Sequence, residues 1–359
     1  MSELDGVMST ADVLVCCGSG GVGKTTTAAA LGLQAARNGR RCVVVTIDPA
    51  KRLADALGVR RLTNDPVRLK IDGDGELWAL MLDTATTFDG LVVANAANAQ
   101  QATRILTNSF YRNIAGSLGG TQEYMAAERL LALHLDKRFD LVIVDTPPTR
   151  NALDFLDAPK TLARFLDHPV FKLMMMPTRR GLRVLSIAAQ PILRSVGKVI
   201  GTEVLADALA FFQAFDGMEK GFRSRADDVI KLLHGDRTRF ILIASPRIDT
   251  IDEAIYFADR LVEKDLAVGA IIVNRATPDF GIPTRKRPRT AADAALWDNQ
   301  AELHELAMAE REQIAPLMAD TGRQPIWVPL LPSDVHDLDA LDTIRALLFT
   351  GSATAEASR

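Results

Sequence analysis

A glycine-rich segment near the start of the chain contains residues whose types and spacing favour phosphate chemistry. Gly18, Gly23, Lys24 and Thr25 satisfy the spacing G-x-x-x-x-G-K-[ST], after the apolar run 13–17. Glycines let the backbone turn successive N–H groups toward phosphate oxygens. A lysine at this position holds the outer phosphates, and a threonine hydroxyl binds Mg²⁺. The spacing therefore predicts a P-loop that binds a nucleoside triphosphate.

The whole loop and the start of the helix after it are candidate nucleotide contacts. We expect this helix at about residues 24–38, where its positive N-terminal end favours an anion. The predicted contacts are Gly18, Ser19, Gly20, Gly21, Val22, Gly23, Lys24, Thr25 and Thr26. The alternative, a glycine-rich turn before an ordinary helix, requires the specified positions and both flanking elements to coincide by chance.

Two aspartates follow apolar runs that we interpret as buried strands. Asp48 comes after residues 41–47, and Asp145 ends residues 138–145. In open parallel sheets the carboxyl ends of the strands face the ligand. We therefore expect Asp145 to bind Mg²⁺ through water, and Asp48 to contact the metal or the attacking water. A helix-capping role is the alternative for each, and for Asp48 before Pro49 the two roles can coexist.

Apolar runs that alternate with helix-like stretches predict an α/β fold. The predicted strands cover residues 13–17, 41–47, 77–83, 138–145, 239–246, 268–275 and 325–332. Such alternation gives a parallel sheet with helices on both faces. With the P-loop, it predicts a P-loop NTPase fold, with a mostly parallel, doubly covered sheet and an inserted helical subdomain.

The same pattern predicts the domain organisation. Residues 1–157 form the first part of an ATPase core, with a helical excursion at about 84–136. Residues 158–236 form a helical insertion. Residues 237–350 complete the core, with one long helix at about 292–319 before the last strand. Residues 351–359 are small and polar, so we expect a disordered tail.

The helical insertion is rich in flexible and aromatic apolar residues. Its clusters are Met174–Met176 and Phe211–Phe215. Methionines line adaptable grooves for apolar partners, which makes the insertion a candidate client-binding subdomain. Packing in the core of the insertion is the other interpretation, and it is the favoured one.

Composition narrows the class of protein and of partner. The 359 residues are 48% hydrophobic with a net charge of −3, which gives no general attraction to nucleic acid or anionic lipid. We find no apolar stretch long enough to span a bilayer, and no signal peptide, so we expect a cytoplasmic protein that is not transmembrane.

Cys16, Cys17 and Cys42 lie in apolar runs, where we expect them to be buried, reduced and inert. Without a C-x-x-C pair, neither zinc nor an iron–sulfur cluster is expected.

Taken together, the motifs resemble those of the ArsA-like ATPases, the family of the arsenite pump and of tail-anchored-protein targeting. The resemblance covers about residues 13–349. The motifs, in order, are the P-loop, Asp48-Pro49-Ala50, Asp145-Thr146-Pro147-Pro148-Thr149, Val273-Asn274-Arg275 and Val328-Pro329-Leu330-Leu331-Pro332.

The resemblance implies an ATPase that uses ATP and Mg²⁺. It assigns phosphate and metal binding to Lys24 and Thr25, orientation of the attacking water to Asp48, and a metal-binding switch to Asp145. Asn274 and the Pro329–Leu330 segment would flank the adenine. Such ATPases are dimers that close over two nucleotides and form an apolar groove for a client or membrane-protein partner. Closure is then a population shift driven by the nucleotide.

The sequence departs from this family at several positions. Ser19 stands where the family has a lysine that reaches the neighbouring subunit's phosphates, so turnover of the isolated chain is expected to be low. Loss of such a cation costs roughly 10³ to 10⁵ in rate, by analogy with arginine fingers. Arg150-Asn151 replace the usual Gly-His. The cysteines that a soft metalloid requires are absent, which disfavours metalloid transport.

The missing lysine leads to two hypotheses about charge. Either the chain forms a heterodimer with a lysine-bearing paralogous ATPase subunit rather than a homodimer, or Lys51 or Arg52 supplies a cation within the same chain.

Two rival functions also remain open. One is a weakly hydrolysing ATP-binding subunit. The other is a partitioning or positioning ATPase, although residues 338–348 have helical apolar spacing with acidic rather than basic flanks.

Overall fold

The computed structural model describes residues 3–48, 50, 52–115, 121–147, 154–167, 202–282 and 290–350. The chain divides into two compact units. The first unit is drawn from Met1–Met81, Leu133–Leu153 and His234–Arg359, and the second from Leu82–Ala132 and Asp154–Leu233. The contacts thus group most of the 84–136 excursion with the later helices. The division into an ATPase core and a client-binding insertion stays a prediction.

The described helices and strands follow the alternation expected from the sequence. The helices are α1 (Glu3–Thr10), α2 (Lys24–Arg37), α3 (Arg52–Ala56), α4 (Thr84–Asn95), α5 (Ala99–Leu106), α6 (Ser109–Ala115), α7 (Thr121–Leu135), α8 (Asp154–Asp167), α9 (Thr202–Ala214), α10 (Glu219–Leu233), α11 (Ile248–Glu263), α12 (Ala291–Gln313), α13 (Ala315–Thr321) and α14 (Leu338–Thr350). The strands are β1 (Val13–Cys17), β2 (Arg41–Thr46), β3 (Val67–Leu69), β4 (Glu76–Met81), β5 (Leu141–Asp145), β6 (Thr238–Ala244), β7 (Val268–Ala276) and β8 (Pro325–Pro329).

One eight-stranded sheet organises the first unit. Its strand order is β3-β4-β2-β5-β1-β6-β7-β8, and every neighbouring pair is parallel except β3 with β4. All residues of the central strands β1 and β5 are buried, so both faces of the sheet centre are covered. Parallel strands require this burial, and their uninterrupted apolar runs provide it. The predicted α/β fold with a mostly parallel sheet is confirmed.

Helix α2, which follows the P-loop, lies close against this sheet because it contains a glycine there. A Cβ atom added to Gly32 would lie 2.6 Å from Val44 Cγ2 and 3.0 Å from Leu77 Cδ1. On α14, Asp342 pairs with Arg37 of α2 at 2.6 Å. The apolar residues Leu341, Ile344 and Leu348 of α14 are buried in the core of this unit. The P-loop helix is thus fixed both by the sheet and by the last helix.

Several elements differ from their predicted form. The single helix expected at 292–319 is two helices, α12 and α13, because Pro316 lies in the first turn of α13, where its missing N–H costs nothing. The last strand ends at Pro329 rather than at residue 332. The short edge strand β3 and the first helix α1 were not predicted. Within the described ranges, none of the helices has both the length and the apolar character of a membrane-spanning segment.

The second unit has an aromatic core of its own. Phe211, Phe212 and Phe215 are buried there. The ring centroids of Phe215 and Phe222 lie 4.9 Å apart, with the ring planes tilted by 49°. These phenylalanines therefore belong to a core and do not line an open groove. Met174–Met176 lie outside the described residues.

The close approach of α2 to the sheet predicts that Gly32→Ala destabilises the protein. The added methyl must displace Val44, which costs about 1–3 kcal/mol by overpacking and exceeds the gain of about 1 kcal/mol in helix propensity. Gly6→Ala in α1 is the matched control, because nothing lies within 4 Å of its added Cβ. Urea denaturation followed by circular dichroism should show a lower free energy of unfolding for Gly32→Ala and an equal or higher one for Gly6→Ala. A Gly32→Ala protein as stable as the wild type would contradict the packing described.

Candidate functional site

The loop between β1 and α2 has a shape that only glycine permits at two positions. Gly18 has φ +155°, and an added Cβ would lie 2.0 Å from the carbonyl oxygen of Ile243 in β6. Gly23, just before α2, has φ +93° in the left-handed region. Its added Cβ would lie 2.2 Å from Nδ2 of Asn274. The loop therefore fits closely against two neighbouring strands of the sheet.

The backbone of this loop offers a set of hydrogen-bond donors. Within the described chain, the amide N–H groups of residues 19–23 have no protein acceptor. Helix α2 begins directly afterwards, so its first N–H groups also lack partners within the helix, and its positive end is added to them. Such a concentration of donors at a helix N-terminus favours an anion, and a phosphate in particular.

Lys24 provides a buried cation at the end of the loop. The residue is 6% exposed, and its Nζ donates a 2.8 Å hydrogen bond to the carbonyl oxygen of Ser19. Burial lowers the pKa of the Lys24 ammonium group, although the nearby Asp145 carboxylate acts in the opposite direction. The hydroxyl oxygen of Ser19 is itself buried without a hydrogen-bond partner. The loop therefore holds a cation and a free hydroxyl side by side.

Asp145, the last residue of β5, joins three segments of the chain. Its Oδ2 accepts hydrogen bonds of 2.8 Å from the hydroxyls of Thr25 and Thr46. β5 lies between β1 and β2, which places Thr46 opposite Asp145 in the register. The other carboxylate oxygen, Oδ1, is buried without a partner.

Burial dominates the protonation of Asp145. It raises the pKa of this carboxyl from 3.8 to about 6. The hydroxyls of Thr46 and Thr25 and the ammonium of Lys24 lower the pKa, whereas the carboxylate of Asp48 raises it. A buried carboxylate with one unpaired oxygen is a suitable acceptor for a metal-bound water.

Asp48 lies at the same sheet edge, beyond the end of β2. It is 8% exposed, its Oδ1 accepts from the amide of Ala50 at 3.0 Å, and its Oδ2 pairs with Arg52 at 3.0 Å. Its own amide donates to the hydroxyl of Thr46 at 3.2 Å. The carboxylate therefore closes a local turn. It does not cap α3, the alternative role predicted for it, because that helix begins four residues later, at Arg52. Pro49 and Lys51 lie outside the described residues.

The segments proposed to flank the adenine lie at the ends of β7 and β8. A bulge at Arg275, which has φ +60°, interrupts the register between these strands. The Nδ2 of Asn274 donates to the carbonyl oxygen of Val22 at 2.8 Å, so this residue contacts the P-loop directly. Pro329 pairs with Ala276, and the amide of Leu330 donates to Ala276 at 2.8 Å. Asn274, Pro329 and Leu330 thus share one edge, and their contact with adenine stays a prediction.

Comparison with known proteins agrees with this geometry. The sequence profile of the family described as anion-transporting ATPase (ArsA_ATPase) matches residues 11–298. The chain belongs to the ArsA ATPase family. The chain is also 25% identical to the ATPase get3 of Schizosaccharomyces japonicus over 331 residues, which cover 92% of this chain and 90% of the yeast protein. It is 26% identical to an ATPase ASNA1 homolog of Trypanosoma cruzi, with 92% of this chain and 89% of that protein covered.

Membership of the ArsA ATPase family confirms the predicted class of enzyme. The chain is an ATPase, and the glycine-rich loop is the P-loop of an ATP-binding protein.

Thr46 is the residue of this ArsA ATPase site that the sequence did not reveal. Its hydroxyl donates to Asp145 and accepts from the amide of Asp48, so it links the two strand-end carboxylates. The sequence feature that could have indicated this role is a polar residue at the last position of β2, directly after a run of apolar residues. Thr146, the next residue of the Asp145 motif, donates to the carbonyl oxygen of Cys16 at 2.7 Å, and Pro148 and Thr149 lie outside the described residues.

The side chains present in this ArsA ATPase fit Mg²⁺. Oxygen donors are available from Thr25, from the unpaired Oδ1 of Asp145 and from Asp48, and Mg²⁺ prefers such ligands with water and phosphate completing its shell. Among the described residues, no group of three or more His, Cys, Asp or Glu side chains is suitable for a metal. Cys16, Cys17 and Cys42 are buried free thiols, as expected, and burial raises the pKa of Cys17 to about 12.

The raised pKa of Asp145 predicts that Asp145→Asn stabilises the protein when nucleotide and Mg²⁺ are absent. Above about pH 6 the folded wild type holds an ionised buried carboxylate, at a cost of at most about 3 kcal/mol. The folded state binds this proton more tightly than the unfolded state, so the wild type regains stability as the pH falls from about 6 toward 4. The advantage of Asp145→Asn should therefore be largest at pH 7.5 and shrink below pH 6.

Urea denaturation in EDTA across this pH range measures the effect. The control is Asp55→Asn, which removes an exposed carboxylate of α3 and should change neither the midpoint nor its pH dependence. An Asp145→Asn protein that is less stable than the wild type by the same amount at every pH would refute the assignment of the pH dependence to this carboxyl.

Proposed function

We propose that this ATPase is a cytoplasmic, nucleotide-driven dimer switch that controls the binding of an apolar client or membrane-protein partner. One observation carries the proposal. Thr25 and Asp145 are 120 residues apart in sequence, yet their side chains form a 2.8 Å hydrogen bond beside the buried Lys24. This arrangement joins a phosphate-binding loop to a strand end that can respond to the state of the nucleotide.

Each residue of the site has a role in this proposal. Lys24 and the loop amides bind the phosphates, while Thr25 and Asp145 hold Mg²⁺, which supplies charge neutralisation on the transferred phosphoryl group. Thr25 now donates its proton to Asp145, so it must exchange this partner when it binds the metal. Asn274, which contacts Val22, and the Pro329–Leu330 segment would then flank the adenine.

Asp48 must change partner before it can orient the attacking water. Its Oδ2 is engaged by Arg52, whose side chain is 59% exposed and therefore has room to move. Release of this pair provides two groups at once, a carboxylate for the water and a guanidinium for the developing phosphate charge. Arg52 is thus the described candidate for a cation within the same chain.

Ser19 supports a heterodimer as the working unit. The family lysine that reaches a neighbour's phosphates is replaced by a buried hydroxyl, which carries no charge to the other site. A lysine-bearing paralogous subunit would supply that charge to the nucleotide bound by this chain. In that pair the nucleotide bound by this chain receives the cation, whereas the nucleotide bound by the partner does not. In a homodimer both sites lack it, so a weakly hydrolysing ATP-binding subunit is the second candidate function, and the same buried Ser19 favours it.

The proposal that the client is apolar is based on the resemblance to the targeting ATPases, and the proposed place of binding is the helical second unit. Because Phe211, Phe212 and Phe215 are used in the core of that unit, a groove has to be formed by other residues. The partitioning alternative is less favoured, because the apolar residues of α14 are buried within the fold and are not presented to a membrane.

The heterodimer proposal predicts that Ser19→Lys raises ATP turnover of the isolated chain by at least about 10²-fold, since it restores the charge shared across the dimer. Ser19→Ala is the control for loss of the hydroxyl alone, and Lys24→Ala gives the background of a site without its ammonium group. Phosphate release and the mass in solution are measured with ATP and Mg²⁺. A wild-type chain that hydrolyses ATP rapidly by itself, or a purification from its host that brings down no related ATPase, would contradict the heterodimer.

The pairing of Arg52 with Asp48 predicts that Arg52→Ala lowers the rate of hydrolysis more than the affinity for ATP. A cation that acts on the transition state contributes about 10-fold or more to kcat, and it contributes little to the binding of ATP in the ground state, where Arg52 is still paired with Asp48. Lys51→Ala tests the neighbouring lysine, and Arg104→Ala, an exposed arginine of α5, is the charge-matched control. Unchanged turnover in the Lys51→Ala/Arg52→Ala double variant would exclude a cation from this segment.

A further inference from the structure

We propose that a cavity beside α3 is a second binding site, which takes a small organic anion with a short apolar body. The cavity has a volume of about 350 Å³ and lies at the carboxyl edge of β2 and β4. Its wall includes Thr46, Leu53, Arg60, Arg61, Leu62 and Met81. None of the P-loop residues lines it, although Thr46 and Ala50, which both contact Asp48, are part of its wall.

Two arginines without partners give the cavity its charge. Arg60 and Arg61 are adjacent and exposed, and within the described chain neither forms an ion pair or a side-chain hydrogen bond. Several other arginines of this unit are paired. Arg37 binds Asp342, Arg40 and Arg41 bind Asp140, and Arg68 binds Glu76.

The chemistry of the two guanidinium groups defines the head of the ligand. They repel one another and present planar forks of N–H donors, which match carboxylate and phosphate groups. A bound anion reduces the repulsion between the two guanidinium groups and accepts hydrogen bonds from their N–H donors. The ligand therefore carries a carboxylate or a phosphate.

The rest of the wall defines the body of the ligand. Leu53 and Leu62 are buried and Met81 is half-buried, so part of the surface is apolar. A volume of this size is at the lower end of small-molecule sites and holds a body of a few carbon atoms.

The cavity is built on a backbone that the sheet fixes. The amide of Met81 donates to the carbonyl oxygen of Thr63 at 2.9 Å, which ties the segment after Arg61 to the end of β4. Preorganised donors lose less entropy on binding than donors on a free loop. The arginines are therefore presented from a defined position.

The same wall connects the cavity to the ATPase site. Thr46 donates its hydroxyl proton to Asp145, and Leu53 follows Arg52 in α3, the partner of Asp48. An anion in the cavity touches both segments. When the anion and the nucleotide favour different arrangements of the Asp48–Arg52 pair, each weakens the binding of the other. The factor is the same for both affinities, because coupling between two binding sites is reciprocal. The binding itself does not depend on the proposed client or dimer.

Methyl NMR of the intact chain, labelled with ¹³C at its methionine methyl groups, tests this proposal. Met81→Leu identifies the Met81 signal. Saturating ADP and Mg²⁺ fill the P-loop, and the protein is then titrated with butanoate, butyl phosphate or butanol. We expect a saturable shift of Met81 in the roughly millimolar range with butanoate, butyl phosphate or both, because such small fragments bind weakly. The better of the two identifies the head group. Butanol has the same apolar body without the charge and should give no saturable shift.

The variant Arg60→Gln/Arg61→Gln should weaken this binding by about tenfold or more, since it removes two charge-assisted contacts. The matched control, Arg104→Gln/Lys160→Gln, removes the same charge from exposed positions of the second unit and should bind as the wild type does. The single variants Arg60→Gln and Arg61→Gln give intermediate affinities, and they decide the question if the double variant does not fold.

Three results would overturn the second site. These are no saturable Met81 shift with either anion, equal affinity in the wild type and the arginine variants, or an equal response to butanol. Because hydrolysis is not measured here, each of them leaves the proposed ATP-driven function untouched.

Discussion

The site depends on a single buried carboxylate. Asp145 is completely buried, yet it receives two hydroxyl donors on one oxygen, from residues 120 and 99 positions away in the sequence. An isolated charge in such surroundings would cost several kcal/mol, and the raised pKa of Asp145 is a sign that the donors offset this cost only in part. A cation bound at the unpaired Oδ1 of Asp145 would offset the remaining cost, so the site favours such a cation.

The strand order follows from this constraint. Thr25 and Thr46 can reach the same carboxylate only if β5 lies between the strands that lead to them, and the order β2-β5-β1 provides this. The loop also depends on a more distant strand. Gly23 leaves room for Asn274 of β7, whose amide group holds the carbonyl of Val22 in place. The shape of the P-loop is therefore determined by long-range contacts as well as by its own glycines.

Local sequence patterns predicted the main helices and strands and the P-loop, because apolar runs and glycine spacing involve only residues that are close together in the sequence. They did not predict features that depend on distant partners. Thr46 is a polar residue at a strand end, and its role is visible only when β5 lies beside it. The bulge at Arg275 places a non-glycine residue at φ +60°, which its sequence does not suggest. The edge strand β3 has three residues and pairs antiparallel, so it is too short for periodicity to detect.

The charges near the P-loop explain why Ser19 and Arg52 have to be considered together. Without nucleotide, the two cations Lys24 and Arg52 equal in number the two carboxylates Asp48 and Asp145. A triphosphate adds negative charge, and Ser19 offers only a hydroxyl in response. In the proposed mechanism Arg52 exchanges Asp48 for a phosphate, so the segment would have two arrangements whose balance the nucleotide shifts. Under this proposal, the Asp48–Arg52 ion pair would take over part of the role of the family lysine and would move when the phosphate charge arrives.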